Sequence, residues 1–150
     1  MKKVITLSTF LFLASFFASA SDGLIKYESQ YAVKETADRF ENILKSKGLT
    51  LFARVNHQKN AQDVNLDLRA TEVIIFGNPK VGTPLMQCTQ DVAIDLPQKV
   101  MVSEDENKKV WLTYNNPNYL MQRHDIQGCD EVISKISDVL TKLSNAAVAM

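Results

Sequence analysis

Two stretches of helical periodicity enclose nearly everything else in this 150-residue chain, and they limit how its strands can be covered. Val33, Ala37, Phe40 and Leu44 recur at helical spacing, with Lys34, Glu35, Asp38, Arg39 and Glu41 on the opposite face. Gly48 follows where a C′ residue would stop the helix. Val132, Ile136, Val139, Leu140 and Leu143 form a second such stripe from Asp130 to about Leu143. Asp130 and Glu131 at its start and Lys142 at its end suit the helix dipole, and Asn145–Met150 reads as a frayed end. The other apolar runs are short and closer to period two: Leu24–Gln30, Leu49–His57, Thr71–Phe76, Val92–Leu96, Lys99–Glu104 and Val110–Tyr114. Residues 58–69 are polar, with His57, Ala61, Val64 and Leu68 spaced for one or two helical turns. Strands joined by turns such as Asp105-Glu106-Asn107-Lys108 imply a largely antiparallel sheet. Only two long helices are available to cover it. The expectation is one α+β domain over residues 21–150, with both long helices on one sheet face and short helices between strands.

The strand Thr71–Phe76 runs into a segment with two glycines and two prolines, Gly77 to Pro84. Thr83-Pro84 reads as an N-cap followed by proline at the first helical position, opening a short helix to about Thr89. Asn116-Pro117 repeats the device and starts another short helix ending near Arg123. The loop Gly77–Thr83 is able to present backbone N–H groups to an anion, with Lys80 adding charge. Turn chemistry accounts equally for its other residues, the glycines permitting positive φ and the prolines stiffening the corner. Neither phosphate-binding glycine motif is present.

The N-terminus sets the compartment. Lys2 and Lys3 precede an apolar run from Val4 to Phe17, and Ala18-Ser19-Ala20 supplies small residues at cleavage positions. This is the pattern of a secretory signal peptide over residues 1–20, cut after Ala20. The run is short for a membrane span of about 20 residues. The mature protein is therefore expected to be periplasmic or secreted, without a membrane span. Lys2 and Lys3 account for two of the 17 basic side chains, and the 15 that remain face 17 acidic ones. That balance leaves no basic surplus for nucleic acid. In an oxidising compartment the two cysteines, Cys88 and Cys129, read first as a disulfide closing a loop of about 40 residues. The other reading is two buried thiols in separate helices.

Candidate chemistry is sparse. The only histidines are His57 and His124. Brought together near Met86 or Met121 they would suit copper or haem iron. The plainer reading has His57 at a sheet edge and His124 at a helix end. Trp111, Tyr114 and Tyr119 are grouped in sequence, and Trp111 has the opposite strand parity to Val110, Leu112 and Tyr114. It would then lie on the outer sheet face, covered by the Asn-Pro helix, a ligand or a second subunit. No nucleophile stands in a hydrolase motif.

Several strings together resemble one bacterial family. They are Phe76-Gly77-Asn78-Pro79-Lys80-Val81-Gly82-Thr83-Pro84-Leu85-Met86, Asp95-Leu96-Pro97 with Lys99-Val100, and Val110 to Pro117 with Tyr119-Leu120. His57 with Ala61 and Arg123-His124 match as well. Over about residues 24–143 the chain resembles the family called domain of unknown function 302. The resemblance implies a TBP-like α+β fold, β-α-β4-α in outline, and implies no activity or cofactor.

Three functional readings follow. The first is a non-enzymatic exported module binding a small ligand or partner around Gly77, Asn78, Lys80, Gly82, Thr83, His57, Trp111 and Tyr114. The second is a metal or haem site, redox-related, built on His57, His124 and Met86. The third is a homodimeric structural protein of the cell envelope.

Overall fold

A computed structural model describes residues 23–150; the expected signal segment and the expected cleavage after Ala20 lie outside the described residues. In chain order the elements are β1 (Leu24–Ser29), α1 (Val33–Ser46), β2 (Thr50–Asn56), α2 (His57–Asp63) and β3 (Thr71–Gly77). They continue with α3 (Pro79–Cys88), a 3-10 turn (Gln90–Ile94), β4 (Gln98–Glu104), β5 (Val110–Asn115), α4 (Pro117–Arg123) and α5 (Asp130–Val148). The five strands form one sheet in the order β1-β5-β4-β3-β2, and every neighbouring pair is antiparallel. The expected α+β class, with two long helices and several short ones, is the architecture observed.

Strand pleating decides which side is buried. Ile74 and Phe76 of β3, Val100 and Val102 of β4, and Leu112 and Tyr114 of β5 share one face and are almost fully buried. Phe40 and Leu44 of α1 and Ile136, Leu140 and Leu143 of α5 close over them, with Phe40 edge-on to Phe76 at 5.2 Å. The α1 helix ends at Ser46, and Gly48 follows with φ of 66°, as its C′ position requires.

Four sequence expectations are corrected. Val92–Leu96 is not a strand but lies mostly in the 3-10 turn, with Val92 buried and Ile94 75% exposed. Gln98 pairs with Phe76, so extending β4 back to Leu96 would place it opposite Asn78, where β3 has already ended. Pro97, which has no N–H to give a ladder, marks the boundary. The helix expected from Pro84 begins at Pro79 instead, with Asn78 as N-cap and Pro84 inside it. The expected fraying after Leu143 is absent, since α5 runs to Val148 and buries Ala147. Its final carbonyls are capped from α1, where Arg39 donates from Nε to Ala147 O at 2.8 Å and from Nη2 to Ala149 O at 2.7 Å. Val139, expected inside, is 38% exposed, and Ile133 takes a buried place on that helix.

One ionic cluster clamps α1 to the edge strand. Arg54 of β2 donates to the buried Glu72 at 2.6 Å, to Asp38 at 2.6 Å and to Glu41 at 3.3 Å. Hydrogen bonds from Lys34 and then Arg54 hold the Asp38 carboxyl below its ordinary value. Lys45 and then Arg54 do the same for Glu41. Burial alone would make Arg54 a weaker base, but hydrogen bonding to Glu72 and Asp38 outweighs it and keeps the guanidinium charged. Carboxyls depressed in the folded state contribute stability that is present above their unfolded values near 4 and lost as pH falls through the folded ones. Acid titration monitored by circular dichroism should therefore show destabilisation below about pH 4. Arg54→Met, which strands Glu72 in the interior, should cost about 3 kcal/mol in urea denaturation and flatten that acid limb.

Candidate functional site

The Gly-Pro segment singled out in the sequence forms a wall of a cavity. Because β3 ends at Gly77, the chain turns over the end of the sheet into α3, and the 3-10 turn then brings it back to Gln98. Between these segments lies an open cavity of about 250 Å³. Its floor is Ile136 of α5, its α3 side is Val81, Gly82 and Met86, and Leu96 and Pro97 face them. Phe52, 53% exposed on the edge strand, stands at its border. The lining is largely apolar. A second cavity of about 610 Å³ adjoins it between the end of α1, the start of α3 and α5. Gly77, Asn78, Val81, Gln98 and Ile136 belong to both walls.

Neither Gly77 nor Gly82 has positive φ, so the turn argument made from the sequence does not hold. Their small size matters for space. A Cβ at Gly82 would meet nothing nearer than Leu96 Cδ1 at 4.0 Å, and one at Gly77 would sit 3.5 Å from the Phe52 ring. The anion reading also loses its donors. Lys80 N donates to the Asn78 side chain at 2.9 Å, and Val81 N and Gly82 N donate to Asn78 O at 2.9 Å.

The other candidate residues disperse. Gly77, Asn78, Gly82, Thr83 and Met86 line the first cavity and Lys80 the second. Tyr114 does not reach either. It is 2% exposed in the core, stacked on Tyr27 at 6.1 Å with its hydroxyl 3.4 Å from Thr141 Oγ1, and burial pushes that phenol up to about 12. Trp111 lies on the outer face as its parity requires, half-buried. Its Nε1 donates at 2.8 Å to Asp105 in the adjoining hairpin turn, a bond that holds this carboxyl below its ordinary value.

The histidines are not brought together. His57 opens α2 beyond Asn56, which pairs with Glu72, while His124 caps α4 beyond the opposite end of β5. Strands of seven residues put these ends about 20 Å apart, so a metal site shared by His57, His124 and Met86 is not formed. His57 is exposed, and the side chain of the half-buried His124 packs against Asp95, its Nε2 2.5 Å from the Asp95 carboxylate. Among the described residues no group of three or more His, Cys, Asp and Glu is arranged around a metal position. No helix among them is long and apolar enough to cross a membrane.

Cys88 and Cys129 are joined in a disulfide, with Cα atoms 6.6 Å apart. It ties the last residue of α3 to the residue before α5, so the cavity's wall and its floor are covalently linked. Phe52, Ala93, Leu96 and Ile136 were not marked by the sequence as site residues. Phe52 and Ile136 come from elements distant in the chain, and the unusual exposure of Phe52 on an edge strand is visible only in the fold.

Comparison with known proteins identifies the lineage of this arrangement. The family model described as "Domain of unknown function DUF302" matches residues 25–143. The chain belongs to the DUF302 family. A crystal structure of an uncharacterized conserved DUF302 protein from Bacillus stearothermophilus has the same fold, with a TM-score of 0.77. That likeness covers 85% of this chain and 99% of the other at 18% identity. Curated relatives include proteins named fluoride-specific ion channel FluC 1 from Brucella suis and Brucella abortus, each 43% identical over 113 residues. Those matches take in 75% of this chain and 44% and 42% of the relatives, so the chain spans less than half of their length.

The disulfide of this DUF302 protein closes a loop of 41 residues. Loop-closure entropy assigns it about 4 kcal/mol. Urea denaturation with and without reductant should show a loss of that order, and Cys88→Ser should reproduce it without added reductant.

Proposed function

We propose that this DUF302 protein is a non-enzymatic, exported module that takes up a small apolar ligand in the cavity between α3, the 3-10 turn and the end of the sheet. The observation that carries this reading is the cavity itself, an apolar space of about 250 Å³ open to solvent and continued by a larger neighbour. Together they fall within the size range of small-molecule sites. Export rests on the basic, apolar and small-residue pattern of residues 1–20 and suits the disulfide. Apolar side chains dominate both linings, whose polar groups among the described residues are the Thr83 hydroxyl, two amides and four lysines, and binding is proposed on that composition.

Titration with N-phenyl-1-naphthylamine, a neutral dye that brightens in apolar surroundings, tests the reading. The folded protein should enhance its emission saturably. Gly82→Leu should abolish that enhancement while leaving thermal stability equal or higher, because a helical glycine is replaced by a better helix former in open space. Unchanged dye binding in that variant would place the dye elsewhere.

The 43% identity to parts of proteins named as fluoride-specific ion channels favours a second reading, in which the domain works beside a membrane transport protein. Mild cross-linking of cells followed by fractionation should then recover part of the protein with membranes; complete recovery in the soluble fraction would sink this reading.

A further inference from the structure

The second cavity carries a charge pattern that the first does not. Its floor is apolar, formed by Ile43, Phe76, Leu140 and Leu143, but four lysines stand around it: Lys47, Lys80, Lys135 and Lys142. Among the described residues no aspartate or glutamate lines either cavity. Lys34, Lys45, Lys59, Lys108 and Lys109 each pair with a carboxylate, whereas among the described residues none of the four cavity lysines does. This concentration of positive charge is local, since acidic and basic side chains are equal in number over the whole chain. Lysines on flexible stems can keep their heads in water and still cover an apolar trough.

A second observation lies where the cavities meet. Gln98, at the start of β4, belongs to both walls, and its side-chain Nε2 is buried without a hydrogen-bond partner among the described residues. An unpartnered buried donor is costly, and an acceptor supplied by a ligand removes the cost. It stands between an apolar chamber on one side and a lysine-rimmed one on the other.

We infer that the ligand is a free, single-chain alkyl carboxylate, its tail in the 250 Å³ chamber beside Met86 and Leu96 and its carboxylate accepting from Gln98 under the lysines. The apolar chamber explains the tail, the unpaired cations the charge, and the buried amide the oxygen acceptor. This inference rests on the reading of the cavity as a ligand site and adds the chemical class of the ligand.

Calorimetric titration of the full mature chain with dodecanoate, dodecanol and dodecyltrimethylammonium, all below their micelle concentrations and at low salt, tests it. Dodecanoate should bind about tenfold more tightly than dodecanol, the cation weakest, and added salt should erode the difference. Lys135→Gln with Lys142→Gln, both exposed helix positions, should remove most of that advantage, with the loss falling on dodecanoate alone. Equal affinity for dodecanoate and dodecanol would overturn the charge assignment while leaving the apolar site standing. Failure of all three ligands together with N-phenyl-1-naphthylamine would overturn both. Binding to phosphatidylglycerol vesicles without binding of free dodecanoate would make the lysines a membrane-facing surface and overturn the inference as well.

Discussion

A five-stranded sheet has two faces, and this chain has apolar helix surface for only one of them. Everything else in the structure follows from that shortage. Strand residues that pair across β3, β4 and β5 at Ile74, Val100 and Tyr114 all point to the same side, and α1 and α5 meet over them. Because α1 and α5 come from opposite ends of the chain, the core closes only when both have docked. Their mutual attachments are accordingly explicit: Arg39 caps the end of α5, and Arg54 ties α1 to the edge of the sheet. A guanidinium serves in both places because its planar fork can satisfy several oxygens at once.

The same shortage creates the cavity. Neither long helix extends over the end of the sheet where β3 stops and β4 starts, and that gap is spanned by α3 and the 3-10 turn. These short elements bury little; of α3 only Leu85 is fully inside. The disulfide from Cys88 to Cys129 supplies the attachment that apolar burial does not, and the space left beneath α3 is lined by Gly82, Met86, Leu96 and Ile136. The site and the covalent link are thus two consequences of one structural fact, a wall too short to hold itself in place by packing.

Much of the fold was legible. Period-two runs and helical stripes place all five strands and both long helices, because their burial patterns are dictated by geometry local to each element. Legibility ended where an element's state depended on a partner. Val92–Leu96 alternates like a strand, yet β3 has ended opposite it, so no ladder exists for it to join. Thr83-Pro84 looks like a helix start, but the Asn78 side chain captures Lys80 N first and starts the helix five residues earlier. The last turns of α5 look frayed until Arg39 reaches them from α1.

Sequence alone determined the α+β class, the sheet face that β5 would bury, the family and the segment that borders the cavity, since all are carried by residue order within short stretches. Tertiary structure decided that His57 and His124 lie at opposite ends of the sheet, that Tyr114 is core and not site, and that Phe52, Leu96 and Ile136 share one chamber. It also decided that four scattered lysines and Gln98 face the same trough. Those are distances between residues far apart in the chain. They are set by strand order and helix docking, which no local pattern encodes.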